Sequence, residues 1–306
     1  MNMKIQYWIY AARIYTLPLS FSGITLSFVI SRNRTNVDFS VYFLCVLTAL
    51  LLQILANFSN DYGDSISGVD NFQRIGPKRT IQYGFISLSE MKKAIYIFSV
   101  LSSISGLLLL YKTILWNSFF TFFIYFIGIF ICIYSSIKYS VGPHPYGYKV
   151  GMGDLSVMIF FGILSVVGSY FLYTQTLSMD IFLLSLSIGF LNIGVLNVNN
   201  MRDLDNDSKS GKYTIPVWLG IKYAKLYHIC IILTSIFLGA CFIFLNKKNN
   251  KVIYQWFFFI FIVIFLILHI KRIIFIKENK LFNLELKKLI VLILLYGFSI
   301  EIGFIL

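Results

Sequence analysis

Hydropathy along the chain alternates between long apolar segments and short polar ones. Nine apolar segments stand out, at 16–31, 40–58, 94–111, 118–137, 155–173, 181–197, 226–245, 252–270 and 288–306. Most are long enough to cross a ~30 Å hydrocarbon core as helices rising ~1.5 Å per residue. Open strands are excluded, because lipid offers no partner to their backbone N–H and C=O groups. The pattern predicts an all-α integral membrane protein with nine transmembrane helices, a single domain over residues 1–306. No cleavable signal is expected: Arg13 interrupts the first apolar stretch and no small-x-small site follows it.

Composition sharpens this reading. Apolar residues make up 58% of the chain and charged ones 13%, too little polarity to clothe a soluble domain and too much apolarity for a disordered one. Cys45, Cys132, Cys230 and Cys241 all lie in apolar runs without a CxxC pair, so they are expected as buried small apolar side chains, not as a disulfide or zinc framework. The net charge of +13 would suggest nucleic acid in a soluble protein. In a membrane protein it suggests positive-inside bias, and no nucleic-acid partner is expected. With the N-terminus in the cytoplasm, 20 of the 26 Lys and Arg residues fall on the cytoplasmic side and 6 on the other, which predicts N-in and C-out.

Ten of the 13 acidic residues share that side, most of them in segments 59–93 and 198–225. Acidic residues contribute little to topology, so their clustering calls for chemistry. The first cluster contains Asn60, Asp61, Asp64, Gly68 and Asp70; the second contains Asn199, Arg202, Asp203, Asp205 and Asp207. Both carry Asn-x-x-x-Asp, and the second continues to Asp207 after four more residues. A spacing of four puts side chains on one helical face. An oxygen-rich stripe at a helix end suits Mg²⁺, which takes few carboxylates and completes its shell with water and phosphate. Two such stripes facing each other could hold a metal-bridged diphosphate. The bland reading is a pair of capped, solvated helix ends; the repeated spacing on one side of the membrane argues against it. Asp61 and Asp205 point off the stripes, with direct metal binding, a supporting role or a solvated role all open to them.

Basic residues follow each stripe. Arg74, Arg202 and Lys212 are read as phosphate contacts; Lys78 and Arg79 stand between that role and a purely topological one. Lys92, Lys93, Lys222 and Lys225 are read as topological. A third segment, Tyr139 to Asp154, is rich in Gly, Pro and Tyr and could shape a pocket over the acidic segments. Asp154 there fits either a site role or a helix N-cap. His144, His228 and His269 stand apart in different segments, and nothing resembles a zinc site.

Taken together, these motifs resemble the UbiA-type intramembrane aromatic prenyltransferases. Within that family they are similar to the branch acting on 1,4-dihydroxy-2-naphthoate. The resemblance rests on Asn60-Asp61-Tyr62-Gly63-Asp64 with Gly68 and Asp70, on Arg74-Ile75-Gly76-Pro77, on Pro145-Tyr146-Gly147-Tyr148 with Gly151, Gly153 and Asp154, on Asn199-Asn200 with Arg202, Asp203 and Asp207, and on Gly211-Lys212 with Thr214. Thr16-Leu17-Pro18 after Arg13 also fits. Gly68 stands where other branches place a further Asp, and Ile14 where Pro is expected.

The resemblance implies a UbiA-type helical bundle with its active-site cavity on the cytoplasmic side of a bacterial cytoplasmic (inner) membrane. It implies transfer of a polyprenyl group from a polyprenyl diphosphate to 1,4-dihydroxy-2-naphthoate, releasing CO₂ and diphosphate and giving the demethylmenaquinol of menaquinone biosynthesis. Two Mg²⁺ ions are then expected, one on Asn60, Asp64 and Asp70, the other on Asn199, Asp203 and Asp207. Arg74, Arg79, Arg202 and Lys212 would grip the diphosphate. Tyr139 would face the allylic cation, and His144, Asp154 and Arg13 lie in the region expected for the acceptor. Asp64 and Asp203 carry the central roles. Membrane lipid would surround the isoprenoid tail. Alternatives are another acceptor such as 4-hydroxybenzoate, a cation transporter using the same carboxylates, or a structural membrane subunit, which leaves the paired motifs unexplained.

Overall fold

The computed structural model describes residues 3–71, 74–77, 79–114, 119–246 and 252–305. Lys78, Lys247, Lys248 and Lys251, which entered the charge reading above, lie outside the described residues. Helix α1 (Met3–Ala12) and helix α2 (Leu17–Arg32) meet at Arg13, whose φ of 50° breaks the helix before a single tight turn at Ile14–Thr16. Pro18 sits in the first turn of α2, where its missing N–H costs nothing. Then follow α3 (Phe39–Ile66), α4 (Leu88–Thr113) and α5 (Phe119–Lys138). The next stretch runs through α6 (Met152–Val157), a π-helical segment (Met158–Gly168) and α7 (Ser169–Thr174). Helices α8 (Met179–Lys209), α9 (Ile215–Leu245), α10 (Val252–Phe275) and α11 (Phe282–Ile305) complete the chain. Among the described residues, nine helical stretches are long and apolar enough to cross a membrane, as the hydropathy pattern predicts.

The helices overrun the apolar segments. Helix α3 has 28 residues and α8 has 31. At ~1.5 Å per residue they measure about 42 and 46 Å, so each projects a turn or more beyond a ~30 Å core. Those projecting turns carry the two acidic motifs. The start of α4 was also legible earlier than residue 94: Ser87 caps it and Glu90 returns a bond to the Ser87 N–H, a capping box. Helix α9 likewise begins well before residue 226 and is broken at Gly220.

Helix α8 is the axis of the bundle, packing along α9 and against the π-helical segment, while α11 closes the ring by packing on α2 and α8. The main core joins Leu26 and Ile30 to Ile188, Leu191, Leu289 and Ile293. Small hydroxyls tie the spans together. The Ser27 and Ser169 hydroxyls lie 2.9 Å apart, and Tyr296 Oη, fully buried, bonds the Ser187 hydroxyl at 2.7 Å and donates to the Ser235 carbonyl at 3.0 Å. Such bonds matter in a bilayer, where apolar packing alone gains little over lipid contact. Helix α5 lies at the periphery, with Phe120, Phe123 and Phe130 exposed. Of the cysteines Cys45 is buried, Cys132 and Cys241 are half-buried and Cys230 is exposed on α9, so the expectation of four buried thiols is corrected: α5 and α9 turn part of their apolar surface outward. At the end of the bundle away from the acidic motifs, Asp38 pairs with Lys112 at 3.0 Å and Asp180 with Arg34.

Candidate active site

The first motif begins on the last two turns of α3. Asn60, Asp61 and Asp64 are helical, but the helix stops at Ile66. Gly68 then takes φ 75°, a left-handed turn that a side chain would strain, and the Asp70 N–H folds back onto the Asp64 carbonyl at 3.0 Å. The side-chain amide of Asn206 on α8 donates to the Val69 carbonyl at 2.8 Å. Turn and amide together carry Asp70 to α8. The second motif needs no such device. Helix α8 runs unbroken to Lys209, so Asn199, Asp203 and Asp207 stay on one face as their spacing predicts.

Arginines join the two motifs. Arg74 reaches Asp70 at 3.4 Å and Asp203 at 3.3 Å. Arg79 reaches Asp61 at 2.8 Å, Asp70 at 3.3 Å and Asp64 at 3.7 Å. Asp61 is buried and accepts also from Arg13 at 2.6 Å and from the Thr80 hydroxyl at 3.4 Å. Asp61 is therefore no solvated residue; Arg13 and Arg79 both rest on its carboxylate. Asp205, by contrast, is exposed, touching Asn279 at 3.2 Å.

Arg202 is held differently from Arg74. Its guanidinium grips Asp203 with two bonds of 2.9 and 2.5 Å, donates to Asn199 Oδ1 at 2.8 Å and to Asn283 Oδ1 at 2.9 Å. These short bonds tie Arg202 to Asn199 and Asp203. Arg74 donates to the Pro77 carbonyl at 3.0 Å, but its contacts to Asp70 and Asp203, and those of Arg79 to Asp70 and Asp64, are longer and can yield to an anion.

The third segment closes over both motifs. A Cβ on Gly63 would lie 2.2 Å from the Ser140 carbonyl oxygen, so α3 and this segment touch backbone to backbone. The Ser140 hydroxyl donates to Asn60 Oδ1 at 2.5 Å, and the Tyr148 hydroxyl donates to Asp64 Oδ1 at 2.8 Å. The Tyr139 ring packs edge-on against Tyr146, and its phenol lies next to Gly153. Burial, with Asp154 close by, pushes the Tyr139 phenol above its ordinary range, so it stays a neutral aromatic face. Asp154 lies in the first turn of α6, with Gly151 at the N-cap, and accepts from the Tyr227 hydroxyl at 3.0 Å. His144 is exposed, and the structure does not bring it into this network.

Buried carboxylates and cations set the electrostatics of this cluster. Burial, reinforced by Asp64, lifts the Asp70 carboxyl above its ordinary range. Lys212 lies with its ammonium 5.5 Å from the centre of the Tyr148 ring. Burial works against its charge, but Asp64 and Asp207 outweigh burial and raise its pKa. Asp70 Oδ2 and Asp207 Oδ2 are buried without a hydrogen-bond partner, one in each motif. Among the described residues no three acidic, His or Cys side chains converge into a ready-made metal cage. An all-oxygen donor set of paired carboxylates and amides with unpartnered oxygens fits Mg²⁺, whose remaining positions go to water and phosphate.

The expectation that the histidines stand apart is corrected for two of them. His228 Nε2 and His269 Nε2 lie 3.1 Å apart, and His269 Nδ1 is 2.9 Å from Glu285. Residues far apart in sequence met here because α9, α10 and α11 pack side by side, which no local spacing foretells. Tyr148, Asn206 and Asn283 were also missed as site residues. Tyr148 lay inside a motif already singled out, and Asn206 lay beside Asp207; Asn283 carried no local signal.

A helical membrane bundle whose carboxylates, amides and cations converge at one end is built to hold a metal-bound polyanion beside an apolar interior. The chain matches the UbiA prenyltransferase family over residues 20–284 and belongs to that family. It is 39% identical to the 1,4-dihydroxy-2-naphthoate octaprenyltransferase of Escherichia coli (strain K12) over 255 residues, 83% of this chain and 81% of that protein. It is 41% identical to the enzyme of the same name from Haemophilus influenzae over 236 residues, 76% of this chain and 75% of the other. Its fold is shared with a UbiA homolog from Archaeoglobus fulgidus bound to DMAPP and Mg²⁺, at a TM-score of 0.65 and 15% identity over 96% of this chain and 98% of that one.

Proposed function

We propose that this chain transfers a polyprenyl group from polyprenyl diphosphate to 1,4-dihydroxy-2-naphthoate, with loss of CO₂ and diphosphate, giving demethylmenaquinol. The observation that carries this reading is the meeting of the two Asn-x-x-x-Asp motifs across Arg74, in a chain 39–41% identical to proteins named for that reaction. The hard step is loss of diphosphate from the allylic carbon, the C–O electron pair leaving with phosphate. Asn60, Asp64 and Asp70 form one cation-binding set, and Asn199, Asp203 and Asp207 the other, for two Mg²⁺ ions. Mg²⁺, when bound there, neutralises charge on the leaving diphosphate. Arg74, Arg79 and Lys212 take phosphate oxygens, Arg202 holds the second set in place, and Asp61 holds Arg79. The Tyr139 face shelters the allylic cation. The ring of the acceptor supplies the electrons of the new C–C bond, and its carboxylate leaves as CO₂, returning an electron pair to the ring. Asp154, fixed by Tyr227, borders the acceptor region; Arg13 acts through Asp61. The 20-to-6 distribution of basic residues supports an acidic end facing the cytoplasm, and the bacterial relatives support a bacterial cytoplasmic membrane.

The test is product formation in liposomes from the naphthoate and a polyprenyl diphosphate, with Mg²⁺, with EDTA, and with 4-hydroxybenzoate as rival acceptor. Prenylated naphthoquinol formed only with Mg²⁺ and only from the naphthoate is the expected result. Turnover of 4-hydroxybenzoate instead would move the chain to another acceptor, and no turnover by folded protein of either acceptor would overturn the proposal.

A further inference from the structure

A second charged feature lies outside the active site, on the lipid-facing side of α10 and α11. The two helices enclose a groove of about 330 Å³ at the same end of the bundle as the acidic motifs. That placement follows from the contacts of the connecting segment, where Asn279 bonds Asp205 and Asn283 bonds Arg202. The mouth of the groove carries Arg272, Lys287 and Lys288. Its deeper wall is Phe265, Leu268 and Val291, each exposed on the bundle surface. Leu268 and Phe265 lie four and seven residues below Arg272, about 6 and 10 Å deeper along the helix. The groove is thus cationic at the membrane face and apolar beneath, the polarity gradient of a single phospholipid.

Its floor is built. Glu285 is buried and accepts from Lys288 at 2.7 Å and from His269 at 2.9 Å, while Arg272 stands 3.7 Å away. Lys288 is thereby pinned and its charge offset by the carboxylate. Arg272 and Lys287 remain exposed, two positive charges over one apolar trough. A guanidinium suits two phosphate oxygens at once, and an ammonium beside it adds a point charge. Zwitterionic headgroups would gain little from this arrangement, since they bring a cation of their own.

We propose that the α10–α11 groove is a binding site for one anionic phospholipid, its phosphate held by Arg272 and Lys287 and an acyl chain laid along Phe265, Leu268 and Val291. The site is independent of the prenyl-transfer reading. It predicts that a lipid of net negative charge is retained when the protein is extracted from its membrane.

Native mass spectrometry of the full chain in detergent, with phosphatidylglycerol or phosphatidylcholine of the same acyl chains, tests this. One phosphatidylglycerol should be retained in preference to phosphatidylcholine, and excess inorganic phosphate should not displace it. Arg272→Gln with Lys287→Gln should lower that retention about thirtyfold, as expected for two lost surface charges. Arg272→Lys with Lys287→Arg should keep it, as should Lys92→Gln with Lys93→Gln, which removes equal charge from exposed positions at the start of α4. Equal retention of both lipids by the unmodified chain would overturn the proposal. So would displacement by phosphate, undiminished retention by the Arg272/Lys287 glutamine variant, or an equal loss in the Lys92/Lys93 variant.

Discussion

The two acidic motifs share a spacing and differ in backbone. On α8 the helix runs straight through Asn199, Asp203 and Asp207 to Lys209, and one arginine, Arg202, orients the stripe from within. On α3 the helix stops at Ile66, a left-handed Gly68 turns the chain, and Asp70 is carried to the partner helix by Asn206. Asp61 and two arginines from outside α3 then hold that half together. One motif is rigid by secondary structure, the other by tertiary contacts. A site that must admit a bulky diphosphate and then release it gains from this asymmetry: one wall is fixed, and the other rests on ion pairs that an incoming anion can rearrange.

The difference can be broken at several points. Asp64→Asn and Asp203→Asn remove the central carboxylate of each half, and each should lower kcat/KM about a thousandfold, the scale of a lost electrostatic contact to a leaving group. Steady-state prenylation assays at saturating Mg²⁺ would measure it. Asp61→Asn should act on the tertiary-held half alone. With Arg13 and Arg79 loosened, KM for the diphosphate substrate should rise about tenfold while kcat changes little, the signature of lost uniform binding. Gly68→Ala meets no atom within 4 Å but strains the φ of 75°. A cost of about 1–2 kcal/mol in the turn should raise the Mg²⁺ concentration needed for half-maximal activity several-fold. Asp205→Asn, on the exposed side of α8, should leave both constants within about twofold, in line with a surface change of under ~0.5 kcal/mol.

Much of this architecture was legible from the chain. The nine spans follow from apolar run length, because only a helix satisfies its own backbone within lipid. The continuous stripe on α8 follows from its period of four. What escaped was set by contacts between distant segments. The Arg74 bridge to Asp203 spans 129 residues and the Asn206 bond to Val69 spans 137. His228, His269 and Glu285 met only through helix packing, and the π-helical turn of Met158–Gly168 has no period that hydropathy reveals. Asp61 read as a side branch of its motif because its partners Arg13 and Arg79 come from either side in sequence. Helix starts were misjudged where polar residues precede the apolar run, as at Leu88 on α4 and Ile215 on α9.

The central claim is that the two motifs act as one unit on a metal-bound diphosphate. The most direct measurement is calorimetric affinity of a polyprenyl diphosphate in the presence of Mg²⁺ for the unmodified chain, Asp64→Asn, Asp203→Asn and the double variant. If the halves share one ligand through bridging cations, the double variant should bind about as weakly as either single one, a coupling of roughly 2 kcal/mol or more. Fully additive losses, with each single variant still binding Mg²⁺-diphosphate through its intact half, would contradict the account.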